Sequence, residues 1–335
     1  MLTPFQGRFI TAAAACMVAA MPLAPAARAQ STQPNEKAVR LAPGEVDLRP
    51  RFRVGDELKY VMTLENDGST QIPPLEPSSQ TSRQQIEFRL KTISTDPEKG
   101  SVVELIYDSL RVSLEAGDQK VEFDSRKQSP ARKQNQKPAR ATDPDPLGEP
   151  ADPAESLTDA LAPIAGSKLT LTIDPDGTIT QVTGGSELAA ALVGRYAGPI
   201  ADPQGVKDLF GPIFSLRKAK PSAAPGEKWQ HVDRLEFPML GKLRLTTDYT
   251  LKSASRGKAT VDFRGTMDLD TETGVQDQSI KLKDTRYEGS YIWDTEAGAL
   301  DSMQQVQKFT LDGEMQGATV KITSNGRVKI ERQRR

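Results

Sequence analysis

Thiols and imidazoles are almost missing from these 335 residues, which hold one cysteine, Cys16, and one histidine, His231. A chain so poor in both cannot build the Cys/His sets that hold structural zinc, and it cannot staple itself with an internal disulfide. Aromatic residues make up only 5% of the chain, with two tryptophans, so a good part of it is not core. An excess of charge of either sign is lacking too, because 44 basic residues face 45 acidic ones. A surface so balanced has no general attraction for nucleic acid or anionic lipid, and no nucleic-acid partner is expected. Glycine-rich phosphate loops, dinucleotide fingerprints and Gly-x-Ser-x-Gly elbows are absent as well, so no cofactor and no metal are implied.

The one apolar run stands at the start. Arg8 precedes an Ala-rich stretch from Phe9 to Val18, and Ala27-Arg28-Ala29 offers a small-x-small cleavage point before Gln30. Residues 1–29 therefore read as a signal peptide. The run is shorter than the roughly 20 residues a spanning helix needs and is broken by Pro22 and Pro25, so no transmembrane segment is expected in the mature chain. The expected location is periplasmic or extracellular. Cys16 lies inside this leader without the Leu three positions upstream that acylation sites favour, which argues against a lipid anchor.

What is present in quantity is strand. From Lys258 the residues Ala259, Val261, Phe263, Gly265, Met267 and Leu269 alternate with polar neighbours, and Leu243, Leu245, Tyr249 and Leu251 do so just before. Period-two alternation of this kind marks strands with one dry face, and the break at Ala254 to Gly257 joins them as a hairpin. "GDELKYVMTLE" from Gly55 is echoed by "GEKWQHVDRLE" from Gly226, and "FRLKTI" from Phe88 by "YTLKSA" from Tyr249. "GSVVELIYDSLRV" from Gly100 matches "GKATVDFRGTMDL" from Gly257 in spacing. Two copies of one β unit are thereby expected. Turns are expected at Asn66-Asp67-Gly68, which should stop a strand before an exposed loop from Ile72 to Ser82, at Asp174-Pro175-Asp176-Gly177, at Asp294 to Gly298, and at Ser324-Asn325-Gly326 as a two-residue hairpin.

The fold expected is mainly β, with two duplicated antiparallel meanders forming a large curved sheet or two half-barrels and two or three helices packed on the concave face. Its parts are a disordered leader (30–45), a first β unit (46–184), a helical connector (185–225) and a second β unit (226–335). The insertion at 125–155 has a basic half followed by an acidic, Pro-rich half, and with so few apolar residues it reads as a solvated loop. In the connector, Ser186 can cap one helix and Asp202-Pro203 another. There Val206, Leu209, Phe210, Ile213 and Phe214 form an apolar stripe that Gly211-Pro212 should kink or split.

Two functional readings follow from these residues. In the first, a non-catalytic exported protein binds an apolar or amphipathic small molecule, or an envelope component, between sheet and helices. Val206, Leu209, Phe210, Ile213 and Phe214 would line that site, with Tyr60 and Trp229 facing them, although the same residues would also suit a closed core. In the second, His231 is the general base of a secreted hydrolase, oriented by Asp233. Side chains two apart on a strand stand roughly 7 Å apart, which argues against a direct bond between this pair. The oligomeric state is left open by the sequence.

"RFRVGDELKY" (Arg51 to Tyr60), "LFGPIFSL" (Leu209 to Leu216) and "KPSAAPGEKW" (Lys220 to Trp229) resemble the opening strand, central helix and second-half start of an uncharacterised family of secreted bacterial proteins of unknown function. The resemblance implies duplicated β units about a central helix and carries no functional residue. A weaker likeness, at the level of the fold, is to periplasmic lipoprotein carriers.

Overall fold

The computed structural model describes residues 41–74, 76–127, 157–158, 161–184, 200, 202–214, 216, 221–237, 241–269, 281–315 and 318–334. The expected signal peptide with Cys16, most of the leader, most of the 125–155 insertion and the helix expected after Ser186 lie outside them.

Twelve strands form one open antiparallel sheet. Its first meander is β2 (Glu57–Gln71), β3 (Ser78–Asp96), β4 (Gly100–Ala116), β6 (Lys168–Ile173) and β7 (Ile179–Thr183), with β5 (Gln119–Asp124) also on β4. The second is β9 (Lys228–Phe237), β10 (Gly241–Ser255), β11 (Lys258–Leu269), β12 (Lys281–Asp294) and β13 (Ala299–Met315). The last strand, β14 (Ala318–Gln333), lies between β2 and β13 and joins the two meanders into a continuous sheet. A second, two-stranded sheet pairs β1 (Val46–Asp47) with β8 (Ser222–Ala223). That pairing places a strand within the segment expected as a helical connector (185–225).

Alternation becomes burial along these strands. On β11, Ala259, Val261, Phe263 and Met267 are buried while Thr260 and Asp262 are not, and the inward rows of β3, β4 and β6 behave alike. The expected hairpins at Gly177 and Gly257 form, and both glycines hold the positive φ such turns need.

Two expected turns do not form. Asn66-Asp67-Gly68 lies inside β2 and Ser324-Asn325-Gly326 inside β14, and the two tripeptides are register partners of one another. Ser324 Oγ donates to Asn66 Oδ1 at 2.9 Å between the two strands. Each tripeptide is thus held extended by a neighbour far away in sequence, so ladder pairing outweighs local turn preference. The loop expected over Ile72 to Ser82 shortens accordingly, because β3 begins at Ser78.

Among the described residues there is one helix of any length, α1 (Pro203–Phe214), where two or three were expected. Asp202 caps it, accepting from the Gly205 amide through Oδ2 at 2.8 Å. The helix runs unsplit through Gly211-Pro212, since Pro212 falls in the final turn and removes a single intrahelical donor there. Its apolar stripe lies on the dry face of the sheet. The Phe210 ring meets Phe88 edge-on with centroids 5.0 Å apart and Tyr107 at 6.0 Å, and Phe214 packs on Phe52. Burying a side chain such as Phe210 contributes about 1.5–3 kcal/mol.

Candidate functional site

The polar face of the sheet carries a broad concavity. An open trough of about 1480 Å³ crosses eight neighbouring strands, from Arg83 on β3 and Thr63 and Glu65 on β2 through β14, β13, β12, β11 and β10 to Lys228 and Gln230 on β9. A large sheet twists cumulatively and so becomes concave along a diagonal of each face, which is why a solvent face can form a trough. Six cations line it (Arg83, Lys228, Lys252, Arg264, Arg327 and Lys329) together with five carboxylates (Glu65, Asp248, Asp262, Glu288 and Glu331). Thr63, Gln230, Thr250, Ser290 and Gln304 lie between them. Cross-strand pairs organise the lining. Arg83 reaches Glu65 at 2.8 Å, Lys252 reaches Asp262 at 3.6 Å, Arg264 reaches Glu288 at 3.7 Å, and Gln230 donates to Asp248 at 2.8 Å. Exposed pairs like these add little stability, so their groups can exchange partners at little cost. The trough is almost neutral and dense in donors and acceptors.

A second, smaller hollow of about 700 Å³ is lined by Asp56, Lys59, Arg256, Lys258, Asp294, Glu296, Arg332 and Arg334, among others. Lys258 reaches Asp294 at 2.9 Å and Asp301 at 3.0 Å, while Arg332 contacts both carboxylates. Burial pushes the Asp294 carboxyl up, but the Ala297 amide, Lys258 and Arg332 outweigh it and hold the group well below the usual carboxylate range. This cluster clamps the end of β14 to the β12–β13 turn.

The residues expected to seat an apolar ligand fall into two places. Tyr60, Val206, Phe210, Ile213 and Phe214 are brought together and are each between 0% and 4% exposed, while Leu209 is partly buried at their edge. Tyr60 stacks on Phe88 and its hydroxyl donates to the Leu300 carbonyl at 2.9 Å. Burial drives the Tyr60 phenol far above its ordinary value, so the group stays protonated. These side chains pack against the dry face of the sheet as part of the hydrophobic core. Trp229 is elsewhere, on β9, stacked on Tyr249 with centroids 5.6 Å apart, and it is counted among the residues lining the trough.

His231 and Asp233 do bond, with Nε2 to Oδ1 at 3.0 Å, contrary to the expectation from strand spacing. The imidazole is long enough to lean along the strand and close the gap its Cβ leaves. The pair is 18% and 10% exposed and lines neither hollow. Thr247 is the register partner of His231, yet its buried Oγ1 has no hydrogen-bond partner among the described residues. A base in contact with a hydroxyl nucleophile is not formed by these groups.

The register places His231 in a wider pattern that the sequence does not reveal. Cross-strand partners run His231, Thr247, Gly265, Tyr287, Gln307, Gly326, Asn66 and Ser82, every one polar, tyrosine or glycine. A polar layer thus crosses an otherwise apolar face, tied to the neighbouring rows where Tyr287 donates to Gln305 at 3.3 Å and Ser324 to Asn66. The trough residues were missed because each reads as an ordinary solvent-facing strand position. Only their alignment across eight strands singles them out.

The profile of a family described as "Family of unknown function (DUF6263)" matches residues 99–317. No curated protein matches the sequence. Among solved structures the chain is similar to lipovitellin, from work titled "Lipid-protein interactions in lipovitellin", at 12% identity and a TM-score of 0.44, over 85% of this chain and 26% of that one. The chain thus spans about a quarter of lipovitellin's length. It is also similar to DynF from the dynemicin biosynthesis pathway of Micromonospora chersina (8% identity, TM-score 0.20, 94% of this chain and 96% of that one). A third likeness is to OccK7 of Pseudomonas aeruginosa (8% identity, TM-score 0.22, 83% and 99%). TM-scores this low fix neither the fold nor a ligand. No helix among the described residues is long and apolar enough to cross a membrane.

Proposed function

The chain belongs to this family of unknown function, and we propose that it is a non-catalytic exported binding protein whose ligand lies in the polar trough. The observation that carries the reading is the trough itself, a concavity crossing eight strands and lined by cations and carboxylates in near-equal number. Such a lining repels neither sign strongly and attracts neither, so it suits a neutral, hydroxyl-rich chain. Sugar hydroxyls can accept from Arg264, Arg327 or Lys329 and donate to Asp248, Asp262 or Glu288. The ligand class is therefore a neutral oligosaccharide or polysaccharide, which an exported protein would meet outside the cytoplasm; that location rests on the reading of residues 1–29 as a signal peptide. Isothermal titration with neutral oligosaccharides, with heparin and polylysine as charged controls, tests it. Saturable binding that weakens at least about tenfold in an Arg264→Ala/Gln304→Ala variant is expected. Binding of heparin alone, or binding that ignores the double substitution, would sink the proposal.

A second reading places an apolar or amphipathic ligand between α1 and the sheet. It is favoured by the thinness of the cover, since among the described residues one twelve-residue helix roofs the floor formed by Tyr60, Phe88 and Tyr107. Native mass spectrometry of the purified protein is its test. Preparations that never carry a lipid count against it. Among the described residues a hydrolase built on His231 lacks the hydroxyl contact it needs, and any activity that survives His231→Ala dismisses it.

The two meanders are proposed to descend from one duplicated unit. Their strands follow the same order. Gly55 and Gly226 precede β2 and β9 with φ of 89° and 87°, and a bulge falls between Thr92 and Ser94 in one meander and between Leu251 and Ser253 in the other. The hydrogen bonds repeat as well. The Gly55 amide donates to Thr92 and the Thr92 amide to Asp56, while the Gly226 amide donates to Leu251 and the Leu251 amide to Glu227.

A further inference from the structure

An open sheet leaves two edges, and the edges of this one are treated differently. β7 is five residues long and covered, because α1 packs beside it and Lys207 Nζ donates to the Thr180 carbonyl at 2.7 Å. β9 is ten residues long and, among the described residues, pairs only with β10. A long uncovered edge is a template for another strand. At the centre of its polar face stands Val232, 46% exposed and one of four large hydrophobic side chains so exposed among the described residues.

We propose that β9 pairs antiparallel with β9 of a second copy about a two-fold axis through Val232. The sequence of the strand is compatible with itself about that point. By position Val232 opposes Val232, His231 opposes Asp233, Gln230 opposes Arg234, Trp229 opposes Leu235 and Lys228 opposes Glu236, so no step sets like charges against each other. Paired residues have the same parity, so dry face continues into dry face and the two sheets join into one. A closed isologous contact of this kind stops at two copies. Because the trough ends at Lys228 and Gln230 on β9, pairing sets the troughs of the two copies end to end, although the contact does not depend on what the trough binds.

Sedimentation equilibrium of the full chain over a range of concentrations reads the contact directly. A reversible monomer–dimer equilibrium is expected, and Val232→Lys, which sets two ammonium groups against each other on the axis, should weaken it about tenfold or more with the thermal midpoint unchanged. In a Cys16→Ser background, Val232→Cys should oxidise to a covalent dimer. Directly opposed antiparallel residues stand about 4.5–5.5 Å apart at Cα, within disulfide range, whereas Val54→Cys, off the strand, should not cross-link. A wild type that stays monomeric, a Val232→Lys variant that dimerises as well as wild type, or a Val232→Cys variant that does not cross-link would each overturn the proposal. So would β9 amides protected from exchange throughout a monomeric Val232→Lys variant, since another part of the same chain would then already hold the edge.

Discussion

Phe210→Ala separates a sealed core from a ligand seat. The ring is fully buried and meets Phe88 edge-on at 5.0 Å and Tyr107 at 6.0 Å. Truncating a buried phenylalanine to alanine costs about 3–5 kcal/mol, through lost transfer energy and the cavity left behind. The upper half of that range is expected here, since two edge-to-face partners are lost as well. For a domain of this size each kcal/mol lowers the melting temperature by roughly 2 °C, giving a fall of about 8–10 °C by calorimetry. Leu209→Ala on the same helix, only partly buried, should cost distinctly less. If Phe210→Ala leaves the ligand-free protein as stable as wild type, or if Leu209→Ala costs as much, the ring does not seal a core and the reasoning fails.

Three further outcomes are expected. The Asp294 carboxyl is held below its ordinary value in the fold, so its contribution to stability is present above the unfolded value near pH 3.9 and is lost as the pH falls through its lower folded value. Denaturant midpoints should therefore be insensitive to Asp294 from neutral pH to about pH 5 and fall in strong acid. Arg332→Met strips a cation from Asp294 and Asp301, whose pairing with it leaves only 11% of the arginine side chain exposed, and should cost about 2–3 kcal/mol by urea titration while moving the acid loss to higher pH. A variant of unchanged stability would show that Lys258 alone suffices. Glycines should split by environment. A Cβ at Gly289 would stand 2.0 Å from the Gln304 carbonyl oxygen and 2.5 Å from the Phe263 ring, so Gly289→Ala should cost about 1–3 kcal/mol, whereas Gly211→Ala, with open space and a helical backbone, should gain about 0.5–1 kcal/mol. Thermal unfolding of the pair reads both signs.

How far the sequence reached is clearest at individual strands. The alternation from Lys258 to Leu269 and the Asp-rich turn ending at Gly177 are local signals, and both formed as expected. Strand order followed too, since meanders join neighbours in sequence. The same local logic failed at Asn66 to Gly68 and Ser324 to Gly326, where each turn-prone tripeptide found the other across a ladder. It failed again at His231 and Asp233, whose bond depends on side-chain reach rather than on backbone spacing.

Composition and periodicity by themselves determined that this is a β protein with a dry face, because those properties depend on residue type and on neighbours two apart. Tertiary structure alone decided that β14 ties the meanders into one sheet, that α1 packs on Phe88 and Tyr107, that scattered polar residues align as a trough and that β9, among the described residues, is left as an edge. Each of these depends on register between strands many residues apart, where the free energy of pairing is settled by partners that no local window contains.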